Sequence, residues 1–296
     1  MSDTFFTAAP HWHWLVIWYL FVGGVAGGSY LIGALLDLFG DARDQPLARL
    51  AYYVAFPAVL IGGLFLIVDL NRPERFWHML IMSERGWPML KYWSPMSIGS
   101  WGLAAFGVFT FLSFVGALAE DGRLRWRGLA RLRRGMLGAL IAILGGVFGF
   151  FLAGYTGVLL AVTNRPIWAD SPLLGFLFLV SAASVSAAVL ILIGLWRGVA
   201  PYSIGWLSRM DGWLMPVELV VLIAFVASLG PVAQVWLSRW GVALVVGVVL
   251  VGIVLPLLLH WRPRLLGGLN MAAAAVLAVL GGFILRVVVV FASESI

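Results

Sequence analysis

The sequence predicts an all-α polytopic membrane protein of eight transmembrane helices arranged as two four-helix bundles, and three observations lead there. Hydrophobic residues fill 62% of the 296 positions, charged residues only 11%, and the mean hydropathy is +1.03. A water-soluble domain carries roughly a quarter charged residues, so lipid must be the solvent for most of this chain. The apolar runs exceed the length of the short alternating strands of a membrane barrel, and backbone groups in lipid must satisfy one another, which leaves helices.

The spans are expected at about 14–39, 50–70, 96–119, 136–163, 172–196, 213–229, 240–260 and 269–291, each long enough to cross roughly 30 Å of hydrocarbon. The first carries FVGGVAGGSY, in which Gly23 and Gly27, and Gly24 and Gly28, stack small residues that let another backbone approach. Trp18 and Tyr19 lie deeper than a belt residue would and are candidates to line an aromatic pocket, and Asp37 closes the helix. The second span ends on Asp69. A long connection, Asn71 to Pro95, mixes charged and aromatic residues and is expected to hold an interfacial helix. Six arginines then crowd Arg123 to Arg134, between spans three and four.

Span four repeats the small-residue pattern at Gly145, Gly146, Gly149 and Gly154 and sets Tyr155 about eight residues from its end, too deep for an interfacial tyrosine. A phenol there has a low-dielectric setting in which to bond a ligand carbonyl. The stretch Ala169–Pro172 marks the joint between a first bundle at about 14–163 and a second at about 172–291, within a single domain covering 1–296. Span six contains Glu218, which has no partner nearby in sequence. Span eight contains Gly281, Gly282 and Arg286.

Charge sets the orientation. Twelve Lys and Arg residues fall on the side of the 1–2, 3–4, 5–6 and 7–8 connections and six on the other, so the positive-inside rule puts both termini outside the cytoplasm. The formal net charge of +6 is therefore read as a basic loop beside anionic lipid and not as a nucleic-acid surface. The N-terminal stretch lacks a basic region and a cleavage site, so the first helix is expected to be an uncleaved anchor. With no cysteine, the chain holds no disulfide, thiolate-ligated cluster or cysteine zinc site.

Buried ionisable groups in a membrane are functional candidates. Glu218 is the foremost candidate for proton handling, with Asp37 and Arg286 as further members of a proton path; for these two, snorkelling or structural pairing competes with that role. Asp69 either pairs with Arg72, three residues on, or does chemistry. Of the four histidines, His11 and His13 precede the first span, His78 is in the long connection and His260 is at a helix end, so no pair is placed to hold a haem between helices.

The order of YLFVGGVAGGSYLIG, DLNRPERFWHML, SPMSIGSW, AGYTGVLL, RPIWADSPLLGFLFLVSA and GGFILR resembles the NrfD/PsrC family over nearly the whole chain. That resemblance implies a membrane subunit of a respiratory oxidoreductase complex in the bacterial cytoplasmic membrane. It would bind menaquinone or ubiquinone near the outer face, with no haem or metal of its own. It would exchange electrons with an extracytoplasmic iron–sulfur subunit that serves a molybdopterin enzyme or a multihaem cytochrome, and proton translocation is an open part of that expectation. In the family a tyrosine on helix four holds the quinone head, a position matched by Tyr155. Where the family offers a histidine on helix one, this chain has Trp18 and Tyr19. The expected site is thus Tyr155 and Asp69 as reacting groups, with Tyr19, Trp18 and Arg72 around the quinone. A secondary transporter and a purely structural anchor are the competing readings.

Overall fold

The structure is a computed structural model that describes residues 12–70, 72–82, 84, 86–262 and 265–295. The expectations that rest on the N-terminal end, His11, Asn71, Arg85 and Arg264 fall outside these residues. Among the described residues the chain is helical, apart from an isolated bridge between Ile81 and Pro88, and eight helices are long and apolar enough to cross a membrane.

These are α1 (Trp14–Phe39), α2 (Gln45–Asp69), α3 (Pro95–Glu120), α4 (Gly135–Ala161), α5 (Leu174–Arg197), α6 (Pro201–Ser228), α7 (Arg239–Trp261) and α8 (Asn270–Glu294). Most ends agree with the hydropathy reading. α6 is the main exception, starting at Pro201 and not near 213. Arg209 and Asp211 interrupt the apolar run, but a helix propagates through polar residues once Pro201 supplies its first turn. The stretch Ala243–Val254 of α7 is wound as a π-helix that ends just before Pro256, a residue without an N–H to donate.

α1 sits at the centre, packed against α2, α4 and α5, while α5 also contacts α4, α6 and α8. Lipid supplies no hydrophobic force between helices, so close backbone approach must hold them. The glycines of α1 provide it on two faces. A Cβ on Gly27 would lie 2.5 Å from the Gly149 carbonyl of α4, and one on Gly28 would lie 2.8 Å from the Ala182 carbonyl of α5. Gly281 of α8 meets Gly252 of α7 in the same way.

The connection after α2, where a helix is expected, holds a short 3-10 helix, Pro73–Met79, with no buried residue. The arginine-rich connection is likewise a 3-10 turn, Arg127–Arg133. Trp168, near the α4–α5 joint, is fully buried, and its indole N–H donates to the Val289 carbonyl at 2.8 Å.

Candidate functional site

A cavity of about 290 Å³ opens at the end of the molecule where α1 begins and α2 and α4 finish. Its walls are largely apolar, with Leu66, Ile67 and Leu103 among them, and three ionisable groups, Tyr19, Asp69 and Tyr155, line it together with the Ser100 hydroxyl. Phe76 and Met79 of the 3-10 turn and Met96 of α3 complete the rim, where Phe76 and Met96 are exposed.

Each polar group arrives on its own helix. Tyr19 is one and a half turns into α1 and fully buried. Asp69 is the last residue of α2, half-buried, with His13 in electrostatic range. Tyr155 lies six residues before the end of α4, about 9 Å below it at 1.5 Å per residue, with its ring stacked on Phe151 at 5.2 Å. The Tyr155 hydroxyl donates to the Pro95 carbonyl at 2.7 Å. That contact depends on Gly99, where any Cβ would occupy the position of the hydroxyl.

The other residues expected around the site lie elsewhere. Trp18 precedes Tyr19 by one residue, hence by about 100° around the helix. It is 42% exposed and packs on Phe283 of α8, away from the cavity. Arg72 is exposed and does not line the cavity, and among the described residues no ion pair joins it to Asp69.

The three residues expected to form a proton path divide into two groups. Glu218 and Arg286 come together in the interior: both are buried, and Glu218 lies within electrostatic range of Arg286 and beside Ser181. Asp37 is separate from them, near the C-terminal end of α1, paired with Arg133 at 2.5 Å and accepting from the Tyr52 hydroxyl at 2.8 Å. Among the described residues no group of three or more His, Cys, Asp or Glu is placed to hold a metal ion.

The family model described as "Polysulphide reductase, NrfD" matches residues 4–296 of this chain. The chain belongs to the NrfD family. It is 26% identical to Protein NrfD of Escherichia coli over 96% of this chain and 95% of that protein. It is 27% identical to one of the chains of the polysulfide reductase of Wolinella succinogenes, over 84% of this sequence and 82% of that one. A more local likeness, 29% identity over 112 residues, links it to a subunit of the selenate reductase of Mesobacillus selenatarsenatis, of which it spans 24%. Membership in the NrfD family and eight apolar helices make the chain an integral, multi-pass membrane protein.

Several parts of the site in this NrfD-family chain escape a residue-by-residue reading. Gly99 and the Pro95 carbonyl carry no chemical signature in sequence, and SPMSIGSW stands out only as a motif. Asp211 is hidden because hydropathy begins its helix twelve residues late, at 213 and not at Pro201. It is fully buried on α6. Its spacing of seven from Glu218 puts the two carboxyls on one helix face two turns apart, a signal that could have revealed it.

Proposed function

We propose that this chain is the membrane subunit of a multisubunit reductase-type oxidoreductase, and that the cavity lined by Tyr19, Asp69 and Tyr155 binds the head of menaquinone or ubiquinone at the extracytoplasmic end. The observation that carries this reading is the convergence of two phenols and one carboxyl, from three helices, on a largely apolar cavity. Ligand sites of this kind combine apolar walls with a few placed polar groups, and about 290 Å³ is at the lower end of their range. The size suits a flat one- or two-ring head whose chain leaves past Met96 and Phe76.

A quinone, when bound, supplies two-electron, two-proton chemistry. Tyr155 would turn its hydroxyl from the Pro95 carbonyl to a ligand carbonyl, its ring held in place by Phe151. Asp69, at a helix end beside the rim, would carry protons between the cavity and the outer aqueous phase. Tyr19 would close the inner wall and keep water out.

Family membership and the likeness to a chain of polysulfide reductase support the wider assignment. In it, helices α1–α4 and α5–α8 form two four-helix bundles, both termini are extracytoplasmic, and the membrane is the bacterial inner membrane. An extracytoplasmic iron–sulfur subunit takes or gives the electrons, with a molybdopterin or multihaem subunit beyond it. The test is purification of the intact complex. Co-purifying quinone and quinol-linked reduction of an iron–sulfur partner are expected, whereas solute flux without redox chemistry would overturn the reading in favour of a transporter.

A further inference from the structure

A second set of buried polar groups lies on the side of the molecule away from the quinone cavity, between α5, α6, α7 and α8. It begins at a separate cavity of about 270 Å³, lined by Ser208, Arg209, Trp213 and His260, at the end where α6 starts and α7 finishes. Trp213 and Trp261 on its rim are exposed. His260 Nδ1 is 3.1 Å from the Ser208 hydroxyl, and its Nε2 is 3.5 Å from Asp211 Oδ2. Both Nε2 and Oδ2 are buried and neither has a hydrogen-bond partner. The other Asp211 oxygen accepts from Ser184 at 2.6 Å. One turn along α5, Ser181 accepts from Arg286 at 2.6 Å and stands beside Glu218.

An unpaired buried polar atom is costly, and two of them facing each other across 3.5 Å make a poor structural contact. They make a good transfer distance once either group shifts by a few tenths of an ångström. Asp211 and Glu218 are two turns apart on α6, and Ser184 and Ser181 run beside them on α5, so donors and acceptors alternate from the cavity inward. At the deep end the Arg286 guanidinium lies over the rings of Phe21 and Phe178 and reaches within 3.5 Å of a Cβ position on Gly24. It therefore abuts α1, the helix whose Tyr19 lines the quinone cavity.

We propose that this chain of groups is a proton-uptake route, entered at His260 from the inner-face cavity, continued through Asp211, and ending at Glu218 beside Arg286. It rests on the quinone reading only for what the protons serve. A proton from the inner aqueous phase adds to His260 and passes from Nε2 to Asp211 Oδ2, leaving the imidazole neutral. Asp211 releases it to the Ser184 hydroxyl, and a water in the one-turn gap carries it on to Ser181. Glu218 takes it there and is neutralised. The charged groups facing the route are Arg209 at its mouth and Arg286 at its end. Arg286 lies within electrostatic range of Glu218 and donates to Ser181 and the Gly282 carbonyl.

The test uses the full-length protein reconstituted in liposomes without quinone, so its outcome is independent of the quinone reading. Infrared difference spectra after a pH jump on the inner-face side should show a protonated-carboxyl band that Glu218→Gln removes. In Asp211→Asn and His260→Phe the band should respond more slowly by about a hundredfold, the lower end of what a positioned proton carrier contributes. Asp211→Glu, which keeps a carboxyl, should restore much of the rate, while circular dichroism and thermal unfolding check that each variant is folded. Wild-type rates in both Asp211→Asn and His260→Phe, or a band that responds only to a pH jump on the outer face, would overturn the route.

Discussion

Arg133 turns back from the arginine-rich connection and pairs with Asp37 at 2.5 Å, its side chain only 2% exposed. The same guanidinium pairs with Glu120, donates to Gln45 at 3.1 Å and lies over the Tyr52 ring at 5.1 Å. One cation thus ties together the C-terminal ends of α1 and α3 and the N-terminal part of α2.

Removing it leaves the half-buried Asp37 with only the Tyr52 hydroxyl and Glu120 with only the exposed Arg134, and breaking a buried ion pair in this way costs up to about 3–5 kcal/mol. Arg133→Ala should lower the thermal unfolding midpoint of the detergent-solubilised protein strongly, and Arg133→Lys less so, because the ammonium keeps the charge but lacks the planar fork that reaches Asp37, Glu120 and Gln45 together. Burial works to lower the Arg133 pKa, but the Asp37 and Glu120 carboxylates outweigh it and hold the group above its usual value. A raised pKa contributes stability that is complete below the unfolded-state pKa and fades only as pH climbs through the higher folded one. The gap between wild type and Arg133→Ala should therefore be the same at neutral and mildly alkaline pH. A gap that closes on raising the pH would show that the pairing does not supply the stability.

The glycines of α1 make a separate prediction about packing. Gly27→Ala and Gly28→Ala put a methyl against backbone carbonyls of α4 and α5, and overpacking of this kind costs about 1–3 kcal/mol. Gly107 on α3 has open space where its Cβ would be, so Gly107→Ala should be neutral or slightly stabilising through helix propensity. Unfolding midpoints of the three variants compare the two environments directly.

What can be read from the sequence follows from which signals are local. Span number and most ends are local, since hydropathy over a window of about twenty residues decides them. The role of Gly27 and Gly28 is local too, because spacing by four defines a face. Side-chain partners are not local. Arg133 reads as one of six solvated arginines, and nothing in RLRRG says that it is the one that folds back 96 positions to Asp37. Trp18 and Tyr19 are adjacent in sequence yet face lipid and cavity respectively, and only the rotation of α1 against α2 and α8 separates them. Asp211 escapes notice because the charged residues around it depress the hydropathy of the first half of α6.

Topology is open to a direct check. Reporter fusions at Gly128 and at the C-terminus should give opposite signals, with Gly128 cytoplasmic, because twelve basic residues lie on its side and six on the other. Matching signals would sink both the orientation and the outer placement of the quinone cavity.

The connection between α2 and α3 is the proposed docking surface for the iron–sulfur partner. Trp87, Tyr92 and Trp93 are each more than two-thirds exposed there, beside the exposed Lys91 and Glu84, and aromatic residues mixed with charge suit a protein interface. Photo-cross-linkers at Glu84 and Lys91 in the intact complex should capture that subunit. Capture of lipid alone at both positions would place the partner elsewhere.

The quinone site itself is best tested through Tyr155 and Gly99, two cavity-lining residues that stand directly against each other. Tyr155→Phe removes one donor and should weaken quinone binding by on the order of 1 kcal/mol, about fivefold, or more if the ligand carbonyl is left buried without a partner. Gly99→Ala keeps the phenol but puts a methyl where its hydroxyl now sits, forcing the ring off the Pro95 carbonyl and out of register with the cavity. It should therefore reproduce the Tyr155→Phe defect, and the double variant should be no worse than the more severe single one, since both changes act on the same hydrogen bond. Asp69→Asn should behave differently. It keeps the size of the side chain but cannot carry a proton, so turnover should fall more than affinity does. A proton donor with rate-limiting influence would also make the defect larger in heavy water. Steady-state quinone kinetics of the four variants in assembled complex separate these outcomes. Additive losses in the Gly99→Ala, Tyr155→Phe pair would mean that Gly99 acts on packing and not through the phenol, and wild-type kinetics in both Tyr155→Phe and Asp69→Asn would move the quinone out of this cavity.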